Sequence, residues 1–173
     1  MMKILNNIIQ TFKVPVPLFD RILEVVALFM LVILLVFTAI LYQQAPDQIP
    51  IQFDGSNNPR DWGEKGMYWY MALFYIALML LTSAAAYNPT KLVNIPIKLK
   101  EAVIGLQKQL IGRMCRCITL CLGIMWLDYL LSTMASYWDI VLFVSIFSKI
   151  SITLLFTVLI YFTVKIWWVG RRY

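Results

Sequence analysis

The sequence predicts an all-α integral membrane protein: a bundle of four transmembrane helices with both termini cytoplasmic, an ordered outer loop and a cytoplasmic extension of the third helix. Three observations lead there. Four stretches are long and apolar enough to cross a bilayer, basic residues crowd the loops on one side, and the composition is too apolar for water. The 173 residues are 61% hydrophobic and 14% charged, against roughly 45–50% and 25% in soluble proteins. A water-soluble domain this small has too much surface for its volume to hide that excess. The whole of 1–173 reads as one membrane domain.

Taking the chain in order, residues 3–13 place Ile4, Leu5, Ile8, Ile9 and Phe12 at helical spacing with polar residues opposite. They predict a short amphipathic helix lying on the inner surface, broken by Pro15 and Pro17. A spanning helix needs about 20 apolar residues. The spans fall at about 22–41, 67–87, 114–137 and 140–165. The first has a charge only at Glu24, near its start, and the second has none. The cores of the third and fourth carry one each, Asp128 and Lys149. The first apolar run is too long for a typical cleaved leader and no small-residue cleavage site follows it cleanly, so it reads as an uncleaved signal anchor.

Loop charge sets the orientation. Lys3, Lys13 and Arg21 precede the first span; Lys91, Lys98, Lys100, Lys108, Arg113 and Arg116 lie in or beside the 88–113 connection; Lys165, Arg171 and Arg172 close the chain. The opposite side holds only Arg60 and Lys65, outweighed by Asp47, Asp54, Asp61, Glu64 and Asp139. The basic side is therefore expected in the cytoplasm, and the net charge of +6 calls for no nucleic-acid partner. Tyr42, Trp62, Tyr68, Trp69, Tyr70, Tyr137 and Trp138 are expected in an outer aromatic belt, with Tyr87, Trp167, Trp168 and Tyr173 in an inner one.

The 88–113 connection opens on Asn88-Pro89 and breaks again at Pro96. From about residue 100 to 135 no breaker intervenes, which predicts one long helix projecting about four turns into the cytoplasm. The outer loop at 43–66 is rich in turn formers, with prolines, an Asp-Gly and an Asn-Asn-Pro cluster. Residues 49–53 suit a short extended piece. A loop this long and this specific is expected to have work of its own.

Little in the chain suggests catalysis. It has no histidine, which removes the usual general base and the commonest metal ligand. Cys115 and Cys117 sit about 200° apart on a helix and cannot grip one metal together, while Cys117 and Cys121 share a face with no other ligand nearby. No phosphate loop or nucleophile–base set is present, so neither a metal nor a cofactor is expected.

Asp128 and Lys149 are the sharpest internal pair, because ionisable groups inside spans are costly. They flank the tight turn at 136–139 almost symmetrically, each roughly 12–15 Å below its tip. Asp128, Ser132 and Ser136 recur every four residues, as do Ser145, Lys149, Thr153 and Thr157. One reading is a salt bridge locking two polar stripes together. The other is that Lys149 snorkels outward while Asp128 lies near the interface.

The outer loop resembles the signature of an uncharacterised bacterial membrane family, domain of unknown function sixteen forty-eight, which also forms the front part of SdpI-like immunity proteins. The family pattern is roughly Leu-Pro-x-x-Ile-Pro-x-His-Phe, a Gly-containing turn, then Pro-Asp-x-Trp/Tyr-Gly-x-Lys. The chain runs Ala45, Pro46, Ile49, Pro50, Gln52, Phe53, then Pro59, Arg60, Asp61, Trp62, Gly63 and Lys65. Asn94, Pro96, Ile97, Lys98 and Leu99 resemble a later run of shorter members. Gln52 replaces the family histidine, so no metal or proton role carries over. Asn57 replaces a glycine, and asparagine is the residue that next best tolerates positive φ.

The resemblance implies a non-enzymatic inner-membrane protein that binds a toxin peptide, an envelope component or a membrane partner. Its expected binding residues are Pro46, Pro50, Gln52, Phe53, Asp54, Asn57, Asp61, Trp62 and Lys65. The alternative is a small transporter or channel, a homo-oligomer in the lipid bilayer, working through Asp128 and Lys149.

Overall fold

The computed structural model describes residues 16–93, 101–135, 137–138 and 140–172. The expected amphipathic helix at 3–13 and the break at Pro96 lie outside them.

Helix α1 runs Leu18–Gln44, longer at both ends than its apolar core. Pro17 presets the backbone just before it and accepts bonds from the amides of Asp20 and Arg21. Asp20 in the first turn suits the positive end of the helix dipole. The helix stops at Ala45, which is extended, as a residue before proline prefers. Two strands follow, β1 (Gln48–Phe53) and β2 (Pro59–Glu64), paired antiparallel with Ile49 opposite Gly63 and Gln52 opposite Asp61. Helix α2 occupies Met67–Tyr87, as its apolar run predicts. A single turn, α3 (Pro89–Leu92), and a 3-10 turn (Glu101–Val103) precede α4, Ile104–Met134. Helix α5 covers Val141–Arg172. Its last turns continue past the predicted end because Ile166 and Val169 pack against Leu110 and Ile111 of α4.

Among the described residues, four helices, α1, α2, α4 and α5, are long and apolar enough to cross a membrane. Their outward faces carry large exposed apolar side chains such as Val25, Phe29, Val32, Leu73, Leu142, Phe143 and Ile160. That is a surface for lipid rather than water, and it marks a multi-pass membrane protein. Helix α4 is the hub: its most apolar stretch is 61% buried in the protein, against 17% for α1 and α5 and 28% for α2.

Two buried clusters sit at the ends of the bundle. At the hairpin end Leu41, Ala45 and Ile49 meet Tyr68, Tyr75, Trp126 and Leu130. At the opposite end, called the stem end below, Ala85 and Ala86 of α2 meet Leu110, Met114 and Cys115 of α4 with Phe162 and Ile166 of α5. Tyr68 departs from the aromatic belt expected of it. It is fully buried, and its hydroxyl shares a 2.8 Å hydrogen bond with Thr133.

Gly112 lets α2 and α4 approach, because a Cβ there would lie 2.8 Å from the Ala86 carbonyl oxygen. Hydroxyls inside the bundle find local partners. Thr38 donates to the Leu34 carbonyl, and Thr82 and Thr119 join α2 to α4 at 2.8 Å.

Candidate functional site

The hairpin between α1 and α2 is held from below and within. Ile49 is fully buried in the cluster with Leu41 and Tyr68, and Pro50 is buried beside it. Asn57 adopts φ 65, the left-handed conformation expected of a residue standing in for glycine. Its side-chain oxygen accepts a 3.1 Å bond from the Ser132 hydroxyl of α4, which clips the turn to the bundle.

Asp54 shapes that turn from within, as an aspartate in such a turn does. Its carboxylate accepts the Ser56 and Asn58 amides at 2.8 Å each and the Asn58 side-chain amide at 3.2 Å. The backbone and side-chain donors of Asn58, then the Ser56 amide, hold the Asp54 carboxyl below its usual range. Where the hairpin meets the helices, Lys65 bonds Asp47 at 2.8 Å. That contact lowers the Asp47 carboxyl and raises the Lys65 ammonium, but both are too open to water for it to add much stability.

The predicted binding residues therefore divide. Pro50 and Asn57 are buried and structural. Phe53 and Lys65 are half-buried. Pro46, Gln52, Asp54, Asp61 and Trp62 are exposed, although Asp54 spends its oxygens on the turn. Gln52 and Asp61 face each other across the strands, and Trp62 beside them is half exposed to solvent. This gives a ledge that exposes a carboxylate, an amide and an indole, with the Asp61 carboxylate also accepting the Trp62 amide at 2.9 Å. Its weakness as a sequence signal lay in β2, whose Pro59-Arg60-Asp61-Trp62-Gly63 run has no strand alternation and becomes a strand only by pairing with β1.

The Asp128–Lys149 pair is not formed. Asp128 accepts hydrogen bonds from Ser148 at 2.7 Å and Ser151 at 3.5 Å. Lys149 is exposed on α5 and has no ion pair among the described residues. Helix phase is the reason. The buried face of α5 is marked by Val144, Ser151, Phe162 and Ile166, and five residues from Val144 to Lys149 turn the helix about 140° away. Spacing along the two helices does not carry the direction in which each side chain points. Thr153 and Thr157 share the outward face with Lys149 and bond only to carbonyls of their own helix.

At the stem end the structure assembles a cluster that composition and loop counting passed over. Asp20, 1% exposed, accepts the Arg113 Nε–H at 2.7 Å, and Glu24 accepts the Arg116 Nε–H at the same distance. Arg113 lies over the Phe19 ring and Arg116 over the Tyr87 ring, 5.2 and 5.3 Å from their centroids. The two arginines had counted only as loop charges. The signal was present as spacing: two acids four residues apart on α1 and two arginines three apart on α4, each pair on one helix face.

No curated protein and no solved structure matches the chain. Residues 29–80 match the family model described as a domain of unknown function, DUF1648. The match runs from the middle of α1 through the hairpin into α2, so the segment that carries the exposed ledge is the part that this chain shares with an uncharacterised family.

Proposed function

We propose that this is a non-enzymatic protein of the bacterial inner membrane, related to SdpI-like immunity proteins, whose hairpin binds a toxin peptide, an envelope component or a membrane partner. Both termini lie in the cytoplasm on this reading, since twelve of the fifteen basic residues fall on one side of the spans. The hairpin then faces outward.

The observation that carries the reading is the division of labour within the hairpin. Ile49, Asn57 and Asp54 hold the hairpin in place, while Gln52, Asp61 and Trp62 are exposed, the Asp61 carboxylate accepting the neighbouring Trp62 amide at 2.9 Å. A preorganised surface loses little entropy on binding, and a half-exposed tryptophan is a frequent anchor of interfaces. The alternative of a transporter leaned on an Asp128–Lys149 pair, and Asp128 is occupied by serine hydroxyls instead.

The test is protection. Bacteria expressing the chain are challenged with a membrane-permeabilising peptide toxin, and membrane potential is followed by dye. The wild type is expected to keep its potential. A Gln52→Ala, Asp61→Ala, Trp62→Ala variant, inserted at the same level, is expected to lose it. Equal depolarisation with and without the chain, or full protection by the triple variant, would sink the reading.

A further inference from the structure

Among the described residues, the stem end contains two hollows that share three lining residues. The first is a crevice of about 220 Å³ between α1 and α2, walled by Leu23, Ala27, Leu28 and Leu31 on one side and by Met79 and Leu80 on the other. Its mouth is lateral: Leu28 and Leu80 line it and are each more than half exposed on the outer surface of the bundle. The second, of about 450 Å³, lies toward the helix ends and is lined by Pro17, Asp20, Gly105, Lys108, Gln109 and Gly112. Arg116, Tyr87 and Ala86 line both, so the two adjoin at these residues.

Their order along the bundle axis follows from neighbouring contacts. Gln107 donates to the Ile166 carbonyl at 3.3 Å and touches Gly170. Lys108 is thus level with Trp167 and Trp168, over which Arg171 and Arg172 stack at 4.4 and 3.5 Å from the ring centroids. Tryptophans beside arginines at a helix end belong at the headgroup level. The polar hollow therefore lies among headgroups. The apolar crevice runs inward from it along about 12 Å of α1, from Leu23 to Leu31.

Charge in the hollow is unbalanced. Asp20, which lines the hollow, is matched by Arg113 behind it, and Glu24, which lines the mouth of the crevice, by Arg116. Lys108 is exposed and enters no ion pair among the described residues, which leaves one positive charge in excess. A cationic, hydrogen-bonding hollow at the headgroup level, beside a narrow apolar slot that gapes toward lipid, has the polarity profile of one phospholipid. We infer that the crevice between α1 and α2 holds a single anionic phospholipid, its phosphate against Lys108 and Arg116 and one acyl chain between Leu28 and Leu80. The inference is independent of what the hairpin binds.

A soluble anion would use only the polar hollow and leave the apolar slot unexplained. A zwitterionic lipid would fill the slot without answering the excess charge. The ion pairs have a part in this arrangement: with Glu24 neutralising Arg116, the site can stay folded when the lipid leaves. Lys108 supplies the discrimination, as a mobile point charge suited to a phosphate.

The test is native mass spectrometry of the delipidated full chain in detergent, with dioleoyl phosphatidylglycerol and dioleoyl phosphatidylcholine added at equal concentration. Glycerol 3-phosphate without lipid forms a separate arm. One phosphatidylglycerol adduct is expected to persist over phosphatidylcholine, and Lys108→Gln is expected to cut that preference about fivefold, the share of one basic residue near an anionic headgroup. Ser83→Phe, which fills the slot, should remove the adducts of both lipids. If that variant misfolds, judged by dye reaction at the buried Cys115, Ala27→Leu takes its place. Equal retention of both lipids would overturn the inference, as would a preference untouched by Lys108→Gln or adducts that survive a filled slot. Glycerol 3-phosphate binding that depends on Lys108 would overturn it in favour of a soluble phosphate.

Discussion

The two ion pairs at the stem end make opposite predictions about which partner matters more. In the first, the Asp20 side chain is 1% exposed and that of Arg113 28%; in the second, Arg116 is 7% exposed and Glu24 31%. Removing the partner with access to water strands the other as an uncompensated buried charge, at a cost of about 3–5 kcal/mol. Removing the buried partner leaves a side chain that can still reach water or headgroups, so the loss is nearer that of one charge-assisted hydrogen bond, about 1.5–3 kcal/mol. Arg113→Met should therefore destabilise more than Asp20→Asn, whereas Glu24→Gln should destabilise more than Arg116→Met. The gap within each pair is about 2 kcal/mol, or roughly 4–8 °C on the scale of a chain this size.

Replacing both members of the Asp20–Arg113 pair should cost less than Arg113→Met alone, because no buried charge is then left behind. The assay is thermal unfolding in detergent with a thiol-reactive fluorogenic dye, since Cys115 and Cys121 are each only 3% exposed in the fold. Equal losses within a pair would refute the burial argument. So would finding the acid to be the worse loss in the first pair, or the base in the second.

Three further outcomes follow from the packing. Ile49→Ala removes a fully buried side chain that seats the hairpin and should cost about 2–5 kcal/mol, seen as faster proteolysis at 54–58; an unchanged cleavage rate would mean the hairpin is held some other way. Gly112→Ala puts a Cβ 2.8 Å from the Ala86 carbonyl oxygen, backbone that moves only with α2, and should cost about 1–3 kcal/mol. Gly123→Ala instead meets the end of the Met30 side chain, which can rotate, and should stay below about 1 kcal/mol; melting temperatures in the reverse order would contradict this. The Asp54 carboxyl sits below its ordinary value of 3.8 when folded, so its contribution to the turn is present above that value and is lost as pH falls through the depressed one. Protection factors of the Ser56 and Asn58 amides should hold above 3.8 and drop as pH falls below it through the depressed value, and Asp54→Asn should abolish that dependence.

Several parts of this fold were legible without coordinates because each depends on a local property of the chain. The run at 67–87 is uncharged and uninterrupted, and α2 occupies it residue for residue. Asn57 stood where a turn required positive φ, and it has it. Where the reading fell short, the missing information was relational. Helix α5 runs on to Arg172 because α4 offers Leu110 and Ile111 to cover Ile166 and Val169. Tyr68 looked like a belt residue by position, and it is buried because Thr133 on another helix meets its hydroxyl.

The same distinction governs the candidate sites. The turn residues at 43–66 were visible as a specific loop, but nothing local separated buried Pro50 and Asn57 from open Gln52, Asp61 and Trp62. Only the seating of Ile49 among α1, α2 and α4 makes that division. Sequence alone determined four membrane-length helices and the stop of α1 before Pro46, because hydropathy and proline act on the residues that carry them. Tertiary structure alone decided that Asp128 meets serines and not Lys149, that Asp20 and Glu24 find Arg113 and Arg116, and that α1 and α2 part to leave a slot. Those outcomes turn on the rotation of one helix against another, which is a property of the packed bundle and of no single segment.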